Sequence, residues 1–312
     1  MHEPLQRAST NRRRTGALRA TLAAAVYLCA VSPDPHAETS GAVDLSAVAP
    51  PRVPAPAGNT LVHDIAIETV AAGQEGVELS ARLTNDGGLI QRPIDWTVIS
   101  SAGETLFAGH SPIANAALTP GDYAVNIRYG AVNASQTVTL VPGTRLIVSF
   151  VLDAGGLRVL PRIVGVSQPA TTAKTLIYAL SGRHPGAMVA TSELPGEVIR
   201  LPAGDYRVES RFAFGNADAV TDVRVKAGLM SAVEIDHKAG FAHLAYVGAA
   251  DATVRWRITD AAGVALPPFD GPSADAVLKP GAYVATAQTG SATLTARFDI
   301  QAGQSRYIIL GN

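Results

Sequence analysis

Beyond residue 37 the chain has five histidines, His63, His110, His184, His237 and His243. Neutral imidazole ligates metals and serves as a general base, so these side chains are the first to test for chemistry. No two of them stand at helical or hairpin metal spacing. His243 falls where Leu79 and Val159 stand in two similar segments, which points it at a core; His237, between Asp236 and Lys238, reads as a solvated linker residue. Nucleophilic acyl transfer has no Gly-x-Ser-x-Gly elbow to work from. Asp122 and Asp205 each follow a turn glycine, where a polar residue is ordinary, and the matching third position is Ala282. Asp153 and Asp236 lack the dense Asp/Asn surroundings of a calcium loop, and no glycine cluster has the setting of a phosphate loop. The expectation is a protein without catalytic residues, metal or cofactor, not an enzyme.

Composition narrows the class further. The 312 residues include 29 Gly and 20 Pro, with 5% aromatic and 16% charged residues and a formal net charge of -1. Nucleic acid is excluded as the main partner, since phosphate binding needs a concentrated basic face. A hydrophobic content of 47% is enough for packed cores, so disorder along the whole chain is excluded.

The first residues follow the order of a secretory signal peptide. Arg7, Arg12, Arg13, Arg14 and Arg19 precede an uncharged run from Ala20 to Val31, then Ser32-Pro33-Asp34-Pro35-His36-Ala37. As a helix that run reaches about 18 Å, short of a bilayer core of about 30 Å, so no stable transmembrane segment is expected in the mature chain. Cleavage is placed after Ala37, giving an expected signal over 1–37 and a periplasmic or secreted bacterial protein. Leu28 stands where lipidation of Cys29 would need a smaller residue, which argues against a lipoprotein. Cys29 is the single cysteine, so neither an internal disulfide nor a thiolate metal cluster can form. Residues 38–60, with Pro50, Pro51, Pro54 and Pro56, resist helix and sheet and read as a disordered tether.

What positions any side chain downstream is a unit repeated three times. Leu118-x-x-Gly121-x-Tyr123, Leu201-x-x-Gly204-x-Tyr206 and Leu278-x-x-Gly281-x-Tyr283 share one pattern, the tyrosines standing 83 and 77 residues apart. That period is domain-sized. An aromatic in an alternating strand precedes each motif: Trp96, Tyr178 and Trp256, at 27, 28 and 27 residues before the tyrosine. Apolar residues alternate before and after Gly143, Gly228 and Gly303, and a further strand opens each unit near Gly76, Gly156 and Gly240. Period two between Gly and Pro turns, with no helical apolar stripe, predicts an all-β chain of three tandem antiparallel β-sandwich modules, at 61–153, 154–237 and 238–312. In each motif Leu plugs the core, Gly permits a tight turn, and Tyr bonds backbone across the corner while the upstream aromatic packs between the sheets. Short junctions at Asp153-Ala154-Gly155 and Asp236-His237-Lys238-Ala239 predict a semi-rigid array.

A Trp strand, then Leu-Pro/Ala-Gly-x-Tyr-x-Val, then Val-x-Val-x-Ala/Pro-Gly resembles the immunoglobulin-like and prealbumin-like sandwich repeats of bacterial envelope proteins. The unit is also similar to carboxypeptidase regulatory-like and macroglobulin-type modules, over about residues 61 to 310. The resemblance implies a spacer or binding surface. The expected function is therefore a non-enzymatic exported scaffold whose partner is another envelope protein or polymer. Two alternatives stand beside it. A carbohydrate- or polymer-binding module would need exposed rings, with Tyr129, Phe212, Phe214 and Tyr246 as candidates, and an accessory subunit of an envelope hydrolase would need a cleft of converging acids or Ser/His.

Overall fold

The computed structural model describes residues 62–311, except 168, 169, 171, 183, 249–252 and 291. The expected export signal and tether lie outside the described residues. Every regular element among the described residues is a strand, and the strands fall into six sheets.

The first sandwich contains β1 (Val62–Thr69), β2 (Gly76–Arg82), β3 (Ile94–Ser100), β4 (Thr105–Ser111), β5 (Ala114–Ala117), β6 (Gly121–Tyr129), β7 (Val132–Leu140) and β8 (Thr144–Val151). Its sheets run β1-β8-β2-β5 and β4-β3-β6-β7. The second contains β9 (Ala154–Ile163), β10 (Ala173–Ala179), β11 (Met188–Ser192), β12 (Val198–Pro202), β13 (Gly204–Phe212), β14 (Ala219–Val225) and β15 (Met230–His237), in sheets β12-β9-β15 and β11-β10-β13-β14. The third contains β16 (Gly240–Val247), β17 (Arg255–Asp260), β18 (Phe269–Asp270), β19 (Ser273–Leu278), β20 (Gly281–Gln288), β21 (Thr293–Ile300) and β22 (Ser305–Gly311), in sheets β19-β16-β22 and β18-β17-β20-β21. Alternation dictates which face each strand buries. On β6, Tyr123, Val125, Ile127 and Tyr129 point inward while Asp122 and Arg128 face water.

Pairing is antiparallel with one exception per sandwich. The opening strand lies parallel to the closing one, β2 with β8, β9 with β15 and β16 with β22. Such a pair needs a long crossover, here the whole intervening sheet. The first sandwich also has an extra edge strand, since β1 pairs antiparallel with β8.

Each sandwich encloses its own apolar cluster, and a fourth cluster, including Ile163, Phe212, Ala239 and Val277, lies where the second and third meet. Trp96 and Trp256 are fully buried, and each indole N–H donates to a carbonyl fifteen residues on, Ser111 at 2.9 Å and Gly271 at 3.0 Å. Full burial of so large a ring is compatible with its polar edge only because that edge is bonded.

Two expectations of phase need correction. Tyr178 is not a core residue: β10 buries Ala173, Thr175 and Ile177, and Tyr178 faces the other side, half-buried. Tyr123 and Tyr283 pair with Ser100 and Asp260, 23 residues upstream, but Tyr206 pairs with Ala179, 27 upstream. The connection in the second unit is four residues longer, and Thr175 occupies the place of the two tryptophans. Tyr178 is an odd number of residues from that place, which on a strand means the opposite face. His243 likewise does not point inward, because Ala242 and Leu244 fill the core on either side of it. Leu79 pairs with Val148, Val159 with Val233 and Leu244 with Ile308, so Leu244 is the counterpart, and Gly240 stands one residue earlier than Gly76.

Candidate functional site

The three motif tyrosines make the same local contact. The Tyr123 hydroxyl donates to the Thr119 carbonyl, Tyr206 to Pro202 at 2.7 Å and Tyr283 to Lys279 at 2.8 Å. All three rings are buried, as are Leu118, Leu201 and Leu278. Burial pushes the Tyr206 phenol up to about 12 and raises Tyr283 as well, because the phenolate would lose its water. A Cβ on Gly121, Gly204 or Gly281 would meet the tyrosine ring at 3.4 to 3.8 Å, ordinary contact, and Gly204 has no positive φ. Small size is thus not what the corner requires of that residue. The aspartates after the first two glycines are surface partners: Asp122 accepts from Thr139, and Asp205 forms a two-point pair with Arg224.

The junctions repeat too. The turn between β6 and β7 reaches the second sandwich, where the Ala131 N–H donates to the Arg200 carbonyl at 3.0 Å and the Arg200 guanidinium lies over the Tyr129 ring at 4.7 Å. The turn between β13 and β14 reaches the third sandwich at the equivalent strand. Val277 donates to the Phe214 carbonyl at 3.0 Å, and the Asn216 N–H donates to the Val277 carbonyl at 3.2 Å. The Asn216 side chain accepts from the Lys279 N–H at 2.9 Å and donates to the Tyr283 hydroxyl at 3.1 Å, while Phe214 packs on Phe269 with ring centres 5.1 Å apart. Arg200 and Val277 each precede the motif leucine, so one unit's hairpin docks on one fixed place of the next. Gly215 makes the second dock possible: with φ at +135°, a Cβ there would lie 1.8 Å from the Val277 carbonyl oxygen.

His237, expected in a solvated linker, is instead buried and ties this hairpin to its own sandwich. The Ala217 carbonyl can only accept, so Nδ1 carries the proton donated to it, at 2.5 Å, and Nε2 accepts from the Ser210 hydroxyl at 2.9 Å. Phe212 meets the ring edge-on, with centroids 4.8 Å apart. Burial lowers the His237 pKa, opposed by the Ala217 bond and the charges of Asp218 and Asp236. Thr175, Ser210 and His237 give the second sandwich polar core positions; at two of them the first has Trp96 and Ile127.

Beside each dock lies a crevice. The first, of about 370 Å³, is lined by Arg92, Arg158 and Arg200 with Tyr129. The second, of about 810 Å³, is lined by Phe212, Phe214, Phe241, His243 and Asp275. There His243 Nδ1 stands 2.6 Å from Asp275, and its ring stacks on Tyr307 at 4.6 Å. Among the described residues no three His, Cys, Asp or Glu side chains group as a metal would require. The four rings named as carbohydrate candidates do not share an open face: Tyr129 and Phe212 are buried, Tyr246 packs against the third core, and Phe214 covers Phe269. The exposed ring that sequence reading overlooked is Tyr307, hidden in an apolar terminal run. The contacts at these sites hold neighbouring sandwiches against one another.

No family model matches the sequence, and no curated protein matches it. Solved structures that align with the chain include the Bacillus anthracis TIE protein, at 16% identity and TM-score 0.25, over 78% of this chain and 51% of that one. A streptococcal ancillary pilin aligns over 76% of this chain and 98% of its own, at 11% identity and TM-score 0.27. BcpA, the major pilin subunit of Bacillus cereus, aligns over 76% of this chain and 99% of its own, at 13% identity and TM-score 0.21. None of these three is described as a carboxypeptidase regulatory-like or macroglobulin module. Scores this low carry no functional argument, and the chain's own sheets establish its all-β class.

Proposed function

We propose that this chain is a non-enzymatic protein exported to the bacterial cell envelope, in which tandem β-sandwiches form a jointed scaffold for a protein partner. The observation that carries the reading is the reuse of one docking contact at both junctions, Ala131 on Arg200 and Asn216 on Val277. Repetition without a repeated polar pocket conserves the spacing of the sandwiches rather than a reaction. Export is supported by the basic, apolar and small-residue order of residues 1–37. The finer likeness to carboxypeptidase regulatory-like and macroglobulin-type modules remains part of this proposal.

The test is a pull-down from envelope extract with the whole mature chain, repeated with Gly215→Ala, which breaks one joint. A protein recovered by the native chain and lost with the variant supports a scaffold that depends on sandwich spacing. Retention on purified peptidoglycan, equal for both forms, overturns it in favour of a polymer-binding module.

A further inference from the structure

The edge of the closing strand is treated differently in the three sandwiches. In the first, β1 covers β8, with Ile65 opposite Val148 and Ile67 opposite Leu146. In the second, β15 pairs only with β9 among the described residues, and its outer face carries Glu234, held by Arg162 at 2.7 Å, and Asp236. Charges on an edge are a common guard against pairing with another chain. In the third, β22 pairs only with β16 among the described residues, and the positions matching Glu234 and Ala232 are Ile309 and Tyr307, which are 65% and 75% exposed. The neighbouring β16 has Val247, 58% exposed, where β9 has Arg162 and β2 has Arg82. This edge thus lacks a covering strand among the described residues, and its outer face lacks guarding charges, Arg306 being the one charged residue of the strand.

We propose that β22 is a self-association edge, and that a second copy's β22 pairs with it antiparallel about Ile308. Two observations select this occupant. The same edge in the first sandwich already accepts an antiparallel strand, β1, so the geometry exists within the molecule. The strand is self-complementary in this register: Tyr307 stands opposite Ile309 of the second copy, Ile308 opposite itself, and Arg306 opposite Leu310, so no like charges meet. A two-fold interface of this kind closes on itself as a dimer and joins two three-stranded sheets into one of six. The pair His243 and Asp275 lies on the same outer face beside Tyr307, and no other charged side chain of β16, β19 or β22 faces the pairing except Arg306.

The experiment is sedimentation equilibrium of the full chain over a concentration series, with Ile309→Glu and the double variant Tyr307→Lys/Ile309→Glu. Both side chains are exposed, and far-ultraviolet circular dichroism checks that the sheet content is kept. The native chain is expected to dimerise. Ile309→Glu places a carboxylate against Tyr307 on each side of the dyad and weakens the dimer at least about tenfold, or about 1.4 kcal/mol. The double variant sets Lys opposite Glu twice and recovers most of that loss. A native chain that stays monomeric throughout overturns the proposal, as does a dimer equally strong in Ile309→Glu. A double variant no stronger than Ile309→Glu overturns the register. None of these outcomes depends on the scaffold reading, whose own test uses a different joint.

Discussion

Replacing Gly215 by Ala puts a single methyl group where the second joint has no room. The Cβ would lie 1.8 Å from the Val277 carbonyl oxygen, and Val277 is backbone of a paired strand, so the hairpin must withdraw. Withdrawal breaks the two backbone bonds between Phe214, Asn216 and Val277 and the two bonds of the Asn216 side chain to Lys279 and Tyr283. At about 1 kcal/mol net each, partly replaced by water, two or three of these are lost in effect. A side chain at φ +135° adds about 1 kcal/mol or more of strain. The expected loss is about 3–5 kcal/mol of coupling between the second and third sandwiches. The chain supplies its own reporters, since Trp96 lies in the first sandwich and Trp256 in the third. In a Trp96→Phe background, Trp256 fluorescence during urea unfolding follows the third sandwich. With a urea slope of about 1–2 kcal/mol/M, its midpoint should fall by about 2–3 M. The corresponding turn in the third sandwich offers a control, because a Cβ on Gly290 meets nothing within 4 Å and Gly290→Ala should be near neutral. A Gly215→Ala variant whose third sandwich unfolds with a free energy within about 0.5 kcal/mol of the native chain would refute the docked hairpin.

Acid should loosen the same hairpin from inside. The His237 pKa is held below its ordinary 6.5, so as pH falls through that value the unfolded chain takes up a proton before the folded one does. Stability is therefore full above about 6.5 and declines on acidification below it, and His237→Gln should flatten the pH dependence of unfolding in that window. Tyr206→Phe removes the hydroxyl bonded to Pro202 and should cost about 1 kcal/mol by denaturant melts, whereas Tyr178→Phe, on the outward face, should cost almost nothing. Trp96→Ala empties a fully buried indole site and should lower the stability of the first sandwich by about 3–5 kcal/mol, read by calorimetry.

The strands were legible because burying one face of a sheet forces period two, as along Tyr123, Val125 and Ile127. The Leu-x-x-Gly-x-Tyr corner was legible because its chemistry is local. Phase was lost where length changed: four extra residues before Tyr206 placed Thr175, not Tyr178, at the tryptophan site, and a one-residue offset at Gly240 turned His243 outward. The docks escaped notice for a related reason. The turn at Gly130-Ala131 and the longer one from Ala213 to Asp218 differ in length and share only the glycine before the docking N–H, Gly130 or Gly215, so that their common target, the residue before Leu201 or Leu278, is what makes them equivalent. The burial of His237 likewise depends on Ala217 and Ser210, far from it in sequence, which no local pattern reports.

The claim that the sandwiches form one jointed scaffold is tested most directly by pulsed dipolar spectroscopy between spin labels on the first and third. Thr105→Cys and Thr295→Cys, both at exposed strand positions, supply the labels in a Cys29→Ser background. Two docked joints predict a single narrow distance distribution that broadens with Gly215→Ala. A broad distribution in the native chain, unchanged by that substitution, would contradict it.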